Sequence, residues 1–484
     1  MQITQLGIVL IPLSLLWAYN PVRLLQLALL SAVFEAASAL TFGSFGLQPA
    51  MVPGLLFIIY IISQYALGMR YPGEGTVFRA MAPLLLLLVY AVISAWLLPD
   101  TFAGRIFVSP QKPDPLAFGA LVPLEFTFGN ITQVLYLGMN VLFALTAAIY
   151  VTRGSVPYER IIAGYMFGGY IVVALVFWQF ANRLGGIWYP EDLLHSNPGF
   201  AIVTQSFGAV PRMQGPFSEP AALAFYLSGV ALCCLWLSIR GYRLMKPNLL
   251  LALSILCVLL STSTTGIVTL VVGLPLVLGL ASVGGDLSSL KRAFRTMGVL
   301  LIGAVLVLGP LFVIKPGLID SVDTVVTATL TKGDSDSYEA RSSLDSGAIE
   351  ALAASDGLGV GWGSYRSSSL IPGLLANGGV FGLVMVSWLI WGLYRLSRRA
   401  RVASPTHPGQ VLAAGFTASM CGQFGAALIS GPMITSLAFF LQLGCVVGVL
   451  ARMSIEPRLL GLRSASLPGQ GVLRAGTGYS QTAS

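Results

Sequence analysis

Histidine is nearly missing from this chain: His195 and His407 are the two it has in 484 residues. Neither stands with cysteine at metal-ligand spacing, which excludes the common zinc architectures. Charge is scarce too. Charged residues make up 10% of the chain against 56% hydrophobic, with a mean hydropathy of +0.82, and that balance excludes an ordinary water-solvated enzyme. Cysteine is sparse, and Cys233, Cys234, Cys257, Cys421 and Cys445 all fall in apolar stretches, so a disulfide-stapled outer domain is excluded. The N-terminus lacks a basic region and a small-residue cleavage site, so no cleavable signal peptide is expected.

What the chain has in quantity is long apolar runs. Thirteen are of membrane-crossing length, near residues 4–19, 24–43, 51–69, 80–98, 132–152, 161–181, 219–239, 248–262, 266–284, 297–314, 371–394, 409–429 and 432–451. Pro12 and Pro21 punctuate the first, which would make the total twelve if it lies in the interface. Sorting the basic residues by loop places 19 of the 27 Lys and Arg on one side, from Arg23 through Arg79, Arg243 and Arg399 to Arg474. By the positive-inside rule that side, with the C-terminus, is cytoplasmic. The net charge of +8 therefore describes an inner membrane face and gives no reason to expect nucleic-acid binding. The expected fold is an all-α polytopic integral membrane protein of 12–13 transmembrane helices, with short helices in large outer loops. Its membrane domain covers 1–452, and a disordered cytoplasmic tail covers 453–484.

Three outer loops are long: 99–131, 182–218 and 315–370. The third carries Leu344, Ala348, Ile349 and Leu352 at helical spacing, which predicts an amphipathic helix over 336–355, stopped by Asp356-Gly357. Arg341 lies in its first turns. Gly357, Gly359, Gly361 and Gly363 follow at every second position, a pattern that serves either a tight re-entry or a close backbone approach to an anion. The second loop ends in "AVPRMQGPFSEPAALAFYL". There Ser218 reads as a helix N-cap and the Glu219 charge suits the helix dipole, whereas Arg212 has no such local explanation.

The pairing of "R-x-x-G-P-F-S-E-P" with "R…LGVGWGS…LLANGGVFGL" resembles the O-antigen ligase and Wzy-type polymerase superfamily, over residues 200–395. These are bacterial inner-membrane glycosyltransferases of surface polysaccharides. The resemblance implies transfer of a glycan from an undecaprenyl-diphosphate carrier on the periplasmic side, with no metal or other cofactor. It places Arg212 and Arg341 on the diphosphate, with Arg366, Gly359 and Gly361 as further contacts. Guanidinium forks suit that anion. Ligases of the superfamily carry a histidine where this chain has Ser367-Ser368-Ser369, which favours polymerisation of lipid-linked repeats onto a growing chain. The resemblance also implies a chain-length regulator and a flippase as membrane partners. Glu219 and Glu339 are the expected catalytic carboxylates, with His195 a third candidate for the base.

Blander roles stand beside these. Arg212 and Arg341 could anchor at the interface or pair with Asp336 or Asp345, and Arg366 could snorkel at a helix mouth. His195 reads as a solvated loop residue. Glu35, the one acid inside an apolar run, reads as a structural group bonded to Gln64 or Asn140. Two other activities compete with polymerisation: ligation of finished glycan to lipid A core, and transport of a lipid-linked glycan. No internal repeat supports the transporter.

Overall fold

A computed structural model describes residues 1–43, 45–111, 121–198, 206–207, 210–283, 291–296, 298, 336–400, 407–430 and 436–465. The expected span at 297–314 lies outside them. The chain is an all-α polytopic membrane protein. Among the described residues, seven helices are long and apolar enough to cross a bilayer. They are α4 (Glu74–Thr101), α5 (Phe128–Val151), α6 (Tyr158–Gly185), α8 (Pro220–Ile239), α12 (Leu370–Ala400), α13 (Pro408–Ile429) and α14 (Leu437–Ala465). Shorter apolar helices join them: α1 (Gln5–Leu16), α2 (Pro21–Ser31), α3 (Met51–Ala66), α9 (Pro247–Leu260) and α10 (Thr264–Val283). Two others lie in loops, α7 (Glu191–Leu194) and α11 (Asp336–Ala354). The final helix runs to Ala465, so residues 453–465 of the expected tail are helical.

Helix α8 is apolar on every side and sits at the centre, packed by α9, α10 and α13. Helices α5 and α14 meet through small residues, where a Cβ at Gly444 or Gly448 would collide with the carbonyl oxygens of Ala144 and Ala148. With lipid as the competing apolar solvent, such close backbone approach is what holds two spans together.

The two ends of the bundle sort as charge predicts. Arg452 donates from Nη1 to the Arg153 carbonyl at 2.9 Å, and Arg292 from Nε to the Ile239 carbonyl at 2.9 Å, so basic loops distant in sequence share one end. The opposite end gathers the long loops. There α11, residues 102–108, Leu124 and the glycine run close a small second core around Ala348, Ala351, Val360 and Tyr365. Helix α11 matches its expected span, but its buried stripe is rotated: Ala351 is inside and Ile349 is outside.

One expected span is corrected. Residues 24–43 do not form a continuous helix, because α2 stops at Ser31 after about 16 Å of rise. The backbone of the following segment finds partners elsewhere. Ala36 N–H donates to the Pro216 carbonyl, Asn197 N–H donates to the Ala36 carbonyl, and Ser38 N–H donates to Ser196 Oγ. Residues 32–39 thus run as a loop whose polar groups at 36 and 38 are satisfied by the second long loop and not by helix. The chain then turns through a small antiparallel sheet made of β1 (Gln2–Ile3), β2 (Leu40–Phe42) and β3 (Phe45–Leu47).

The glycine run is a packing device. At Gly361, φ is +100°, and a Cβ there would sit 2.7 Å from the Ser94 carbonyl oxygen of α4. The run also leans on Gly379, whose φ of +61° breaks α12 near its start and lets the Gly357 and Leu358 carbonyls approach. Gly361→Ala is therefore expected to destabilise the fold by at least about 1–3 kcal/mol through strain alone. Thermal unfolding in detergent measures it; an unchanged transition would return these glycines to a binding role.

Candidate functional site at the outer recess

The second long loop begins on the surface, with Ile187 and Trp188 exposed, and turns inward at its end. Its end, residues 212–217, dips between helices. Gln179, a buried residue of α6, accepts the N–H groups of Gln214 and Gly215 at its Oε1, at 3.0 and 2.8 Å. Met213 N–H donates to the Leu260 carbonyl at the end of α9. His195 holds the turn from above: its Nε2 lies 3.0 Å from the Gly215 carbonyl oxygen. The side chain of His195 is 4% exposed, so it is not the solvated histidine expected. Burial lowers its pKa, and Nε2, facing a carbonyl oxygen, carries the proton and donates there, which leaves Nδ1 as the basic nitrogen, itself buried.

This threading fixes Arg212. Its Nε–H donates to the Ser261 carbonyl at 3.3 Å, in the short turn between α9 and α10. Burial is the first cause that lowers the Arg212 pKa, and the Arg341 charge is the second, opposed by Glu219. Arg341, half-buried on α11, and Arg212 thus hold two like charges in mutual electrostatic reach, with Glu219 acting in the opposite sense. Two guanidinium groups so placed suit an anion between them.

Glu219, not Ser218, is the N-cap residue of α8, and its side chain makes no capping bond. Its carboxylate stands at the positive end of a helix and acts on Arg212. Glu35 completes the group. It occupies the loop after α2, next to Ala36, whose N–H donates to the Pro216 carbonyl at 3.2 Å. Burial, and then the Glu219 charge, raise the Glu35 pKa to about 7. The acting charge is Glu219, so the expected reading of Glu35 as a span residue tied to Gln64 or Asn140 is replaced by one in which it faces the second long loop.

Four charged residues from segments far apart in sequence, Glu35, Arg212, Glu219 and Arg341, are therefore linked as electrostatic neighbours: Glu35 with Glu219, and Glu219 and Arg341 with Arg212. Other candidates stay outside this group. Glu339 is exposed on the first turn of α11. Arg366 lies past the glycine run, with its N–H on the Ser109 carbonyl at 2.9 Å, and is not among the charges acting on Arg212. The Gly359 N–H is committed to Ser355 Oγ at 2.9 Å, and a Cβ at Gly361 would press into α4, so neither glycine is arranged as an anion cradle.

Asp345, a suggested partner of the arginines, is also committed. Its carboxylate accepts from the N–H groups of Ser368 and Ser369 and from Ser369 Oγ, at 2.8, 3.1 and 2.6 Å. It acts as the cap of α12 from a distance in sequence. Gln179 and Ser261 carry no sequence motif; a glutamine in an apolar run and the polar stretch "STSTT" were the available signals.

No family model matches the chain, and no curated protein matches it.

Proposed function

We propose that the chain polymerises lipid-linked oligosaccharide repeats, as a metal-independent membrane glycosyltransferase acting at the outer face of a bacterial inner membrane. The observation that supports this reading is the grouping of Arg212 and Arg341, two arginines within electrostatic reach of each other, with the carboxylates Glu219 and Glu35. Transfer forms a bond between an acceptor hydroxyl oxygen and the anomeric carbon of the donor, and breaks the bond from that carbon to the carrier diphosphate. The diphosphate leaves as an anion and the hydroxyl proton goes to a base. Arg212 and Arg341 suit the leaving diphosphate, with terminal guanidinium donors placed where charge develops. Glu35 suits the proton, because a carboxylate poised near neutrality is the best compromise between being deprotonated and being basic. Burial sets that poise, and the Glu219 charge adds to it.

The four charges belong to loops that fold back against apolar helices, and this favours the lipid-linked end of the substrate, since a diphosphate tethered to a membrane lipid is presented beside such helices. The test is the surface glycan of a strain lacking the gene. Loss of the polymer ladder with single repeats still attached to their acceptor is expected; unattached full-length polymer would assign ligation instead, and lipid-linked repeats held on the inner face would assign transport.

A further inference from the structure

The other end of the molecule carries a second arrangement of charge. On α12, Trp388, Gly392, Arg395 and Arg399 recur at helical spacing and form one stripe. On α4, Thr76 and Arg79 face it, and Ser454 of α14 closes one side. Between them lies a cleft of about 740 Å³, within the roughly 300–1,000 Å³ range of small-molecule sites. Among the described residues its lining contains three arginines and no carboxylate. Neither described ion pair involves any of the three. Glu74, the nearest acid in sequence to Arg79, is turned to Tyr65 OH at 2.8 Å and Tyr71 N–H. Arg79 Nε–H donates to the Gly75 carbonyl at 3.0 Å, which sets the plane of its guanidinium.

The cleft is also open to the side. Trp388 and Trp391, 47% and 57% exposed, stand at its edge, where tryptophan is favoured at the boundary between headgroups and hydrocarbon. Gly392 lies in the lining with nothing within 4 Å of where its Cβ would be, so the space persists for want of a side chain.

We propose that this cleft binds the headgroup of an anionic phospholipid carrying two phosphodiesters, drawn from the leaflet around the basic end. Three guanidiniums set around one cleft repel one another, and a multivalent anion between them relieves that repulsion. The tryptophans admit an amphiphile laterally, and Thr76 and Ser454 supply hydroxyls for phosphate oxygens. A diphosphatidyl lipid meets all three features, whereas a soluble anion would leave the apolar edge unused. Basic clefts between spans on the positive side are suited to such headgroups. The inference does not rest on the glycosyltransferase reading.

The test uses the full chain in nanodiscs of phosphatidylcholine with a minor fraction of cardiolipin, followed by native mass spectrometry of retained lipid. Wild type is expected to keep cardiolipin through detergent stripping. The triple variant Arg79→Gln, Arg395→Gln, Arg399→Gln is expected to retain it at least about tenfold less. Gly392→Trp, which fills the cleft and keeps every charge, is expected to lose it as well. Arg23→Gln with Arg243→Gln, at the same end but outside the cleft, is expected to behave as wild type. Equal retention in all forms, or equal loss in the Arg23/Arg243 control, would overturn the site in favour of diffuse attraction. Full displacement of the lipid by inorganic diphosphate would assign a soluble anion instead. Should the triple variant misfold on size exclusion, Gly392→Trp alone decides.

Discussion

Arg212→Lys and Arg341→Lys are each expected to lower polymer formation by about 10²–10³-fold, the usual loss when one oriented donor to a developing anion is removed. Protein amount and thermal unfolding are expected to stay at wild-type values. Lysine keeps the charge, so a site needing only a positive potential would survive the change. It loses the planar fork, and with it paired donation to phosphate oxygens. Arg212 is the sharper case, because its Nε–H is bound to the Ser261 carbonyl and fixes the plane in which the remaining donors point. The stability expectation follows from the charges. Lysine keeps the charge at both positions, so the repulsion that Arg341 exerts on Arg212 is unchanged and the charge balance of the fold is preserved. A synthetic lipid-linked repeat with purified protein measures the rate. Normal turnover in both lysine variants would make these residues interfacial anchors and move the diphosphate elsewhere.

Much of this architecture was legible in the sequence, and the parts that were not share one cause. Apolar runs and the sorting of arginines gave the spans and the two ends, because hydrocarbon imposes its length and charge rules segment by segment. Arg212, Glu219 and Arg341 stood out as charges in Gly- and Pro-rich outer loops, and the fold brings them together. The failures are residues whose role depends on a distant partner. Residues 24–43 read as a span because their apolar content is that of a span; what ends α2 at Ser31 is the hydrogen bonding of residues 36–38 to Ser196, Asn197 and Pro216, more than 150 positions away. Glu35 was misread with it. The glycine run was ambiguous by pattern, and only its contact with Ser94 and its bond to Ser355 resolve it toward packing. His195 looked solvated because the carbonyl it meets belongs to a loop that folds back under it.

Glu35→Gln is expected to lower the rate of polymerisation by about 10²–10⁴-fold, the range for a lost general base, with binding of the lipid-linked repeat retained. The argument is one of proton affinity in place. A carboxylate with its ordinary pKa of 4.5 is ionised at neutral pH but weakly basic; Glu35, raised to about 7, remains ionised in part and holds a transferred proton more firmly. Wild-type rate should therefore rise with pH through about 7, and Glu35→Gln should lack that limb. Glu219→Gln should shift the limb to lower pH, since it removes the second cause of the raised pKa. Stability separates loss of chemistry from loss of fold. In the folded protein Glu35 binds its proton more tightly than in the unfolded chain, so its contribution to stability is full below pH 4.5 and is lost as pH rises through about 7. A neutral glutamine carries no such loss, and Glu35→Gln should unfold no earlier than wild type at pH 8. An inactive variant that is at least as stable as wild type there has lost a proton acceptor. One that keeps both the rate and the acid limb would pass that role to Glu219, whose carboxylate at the start of α8 is the other one in the group.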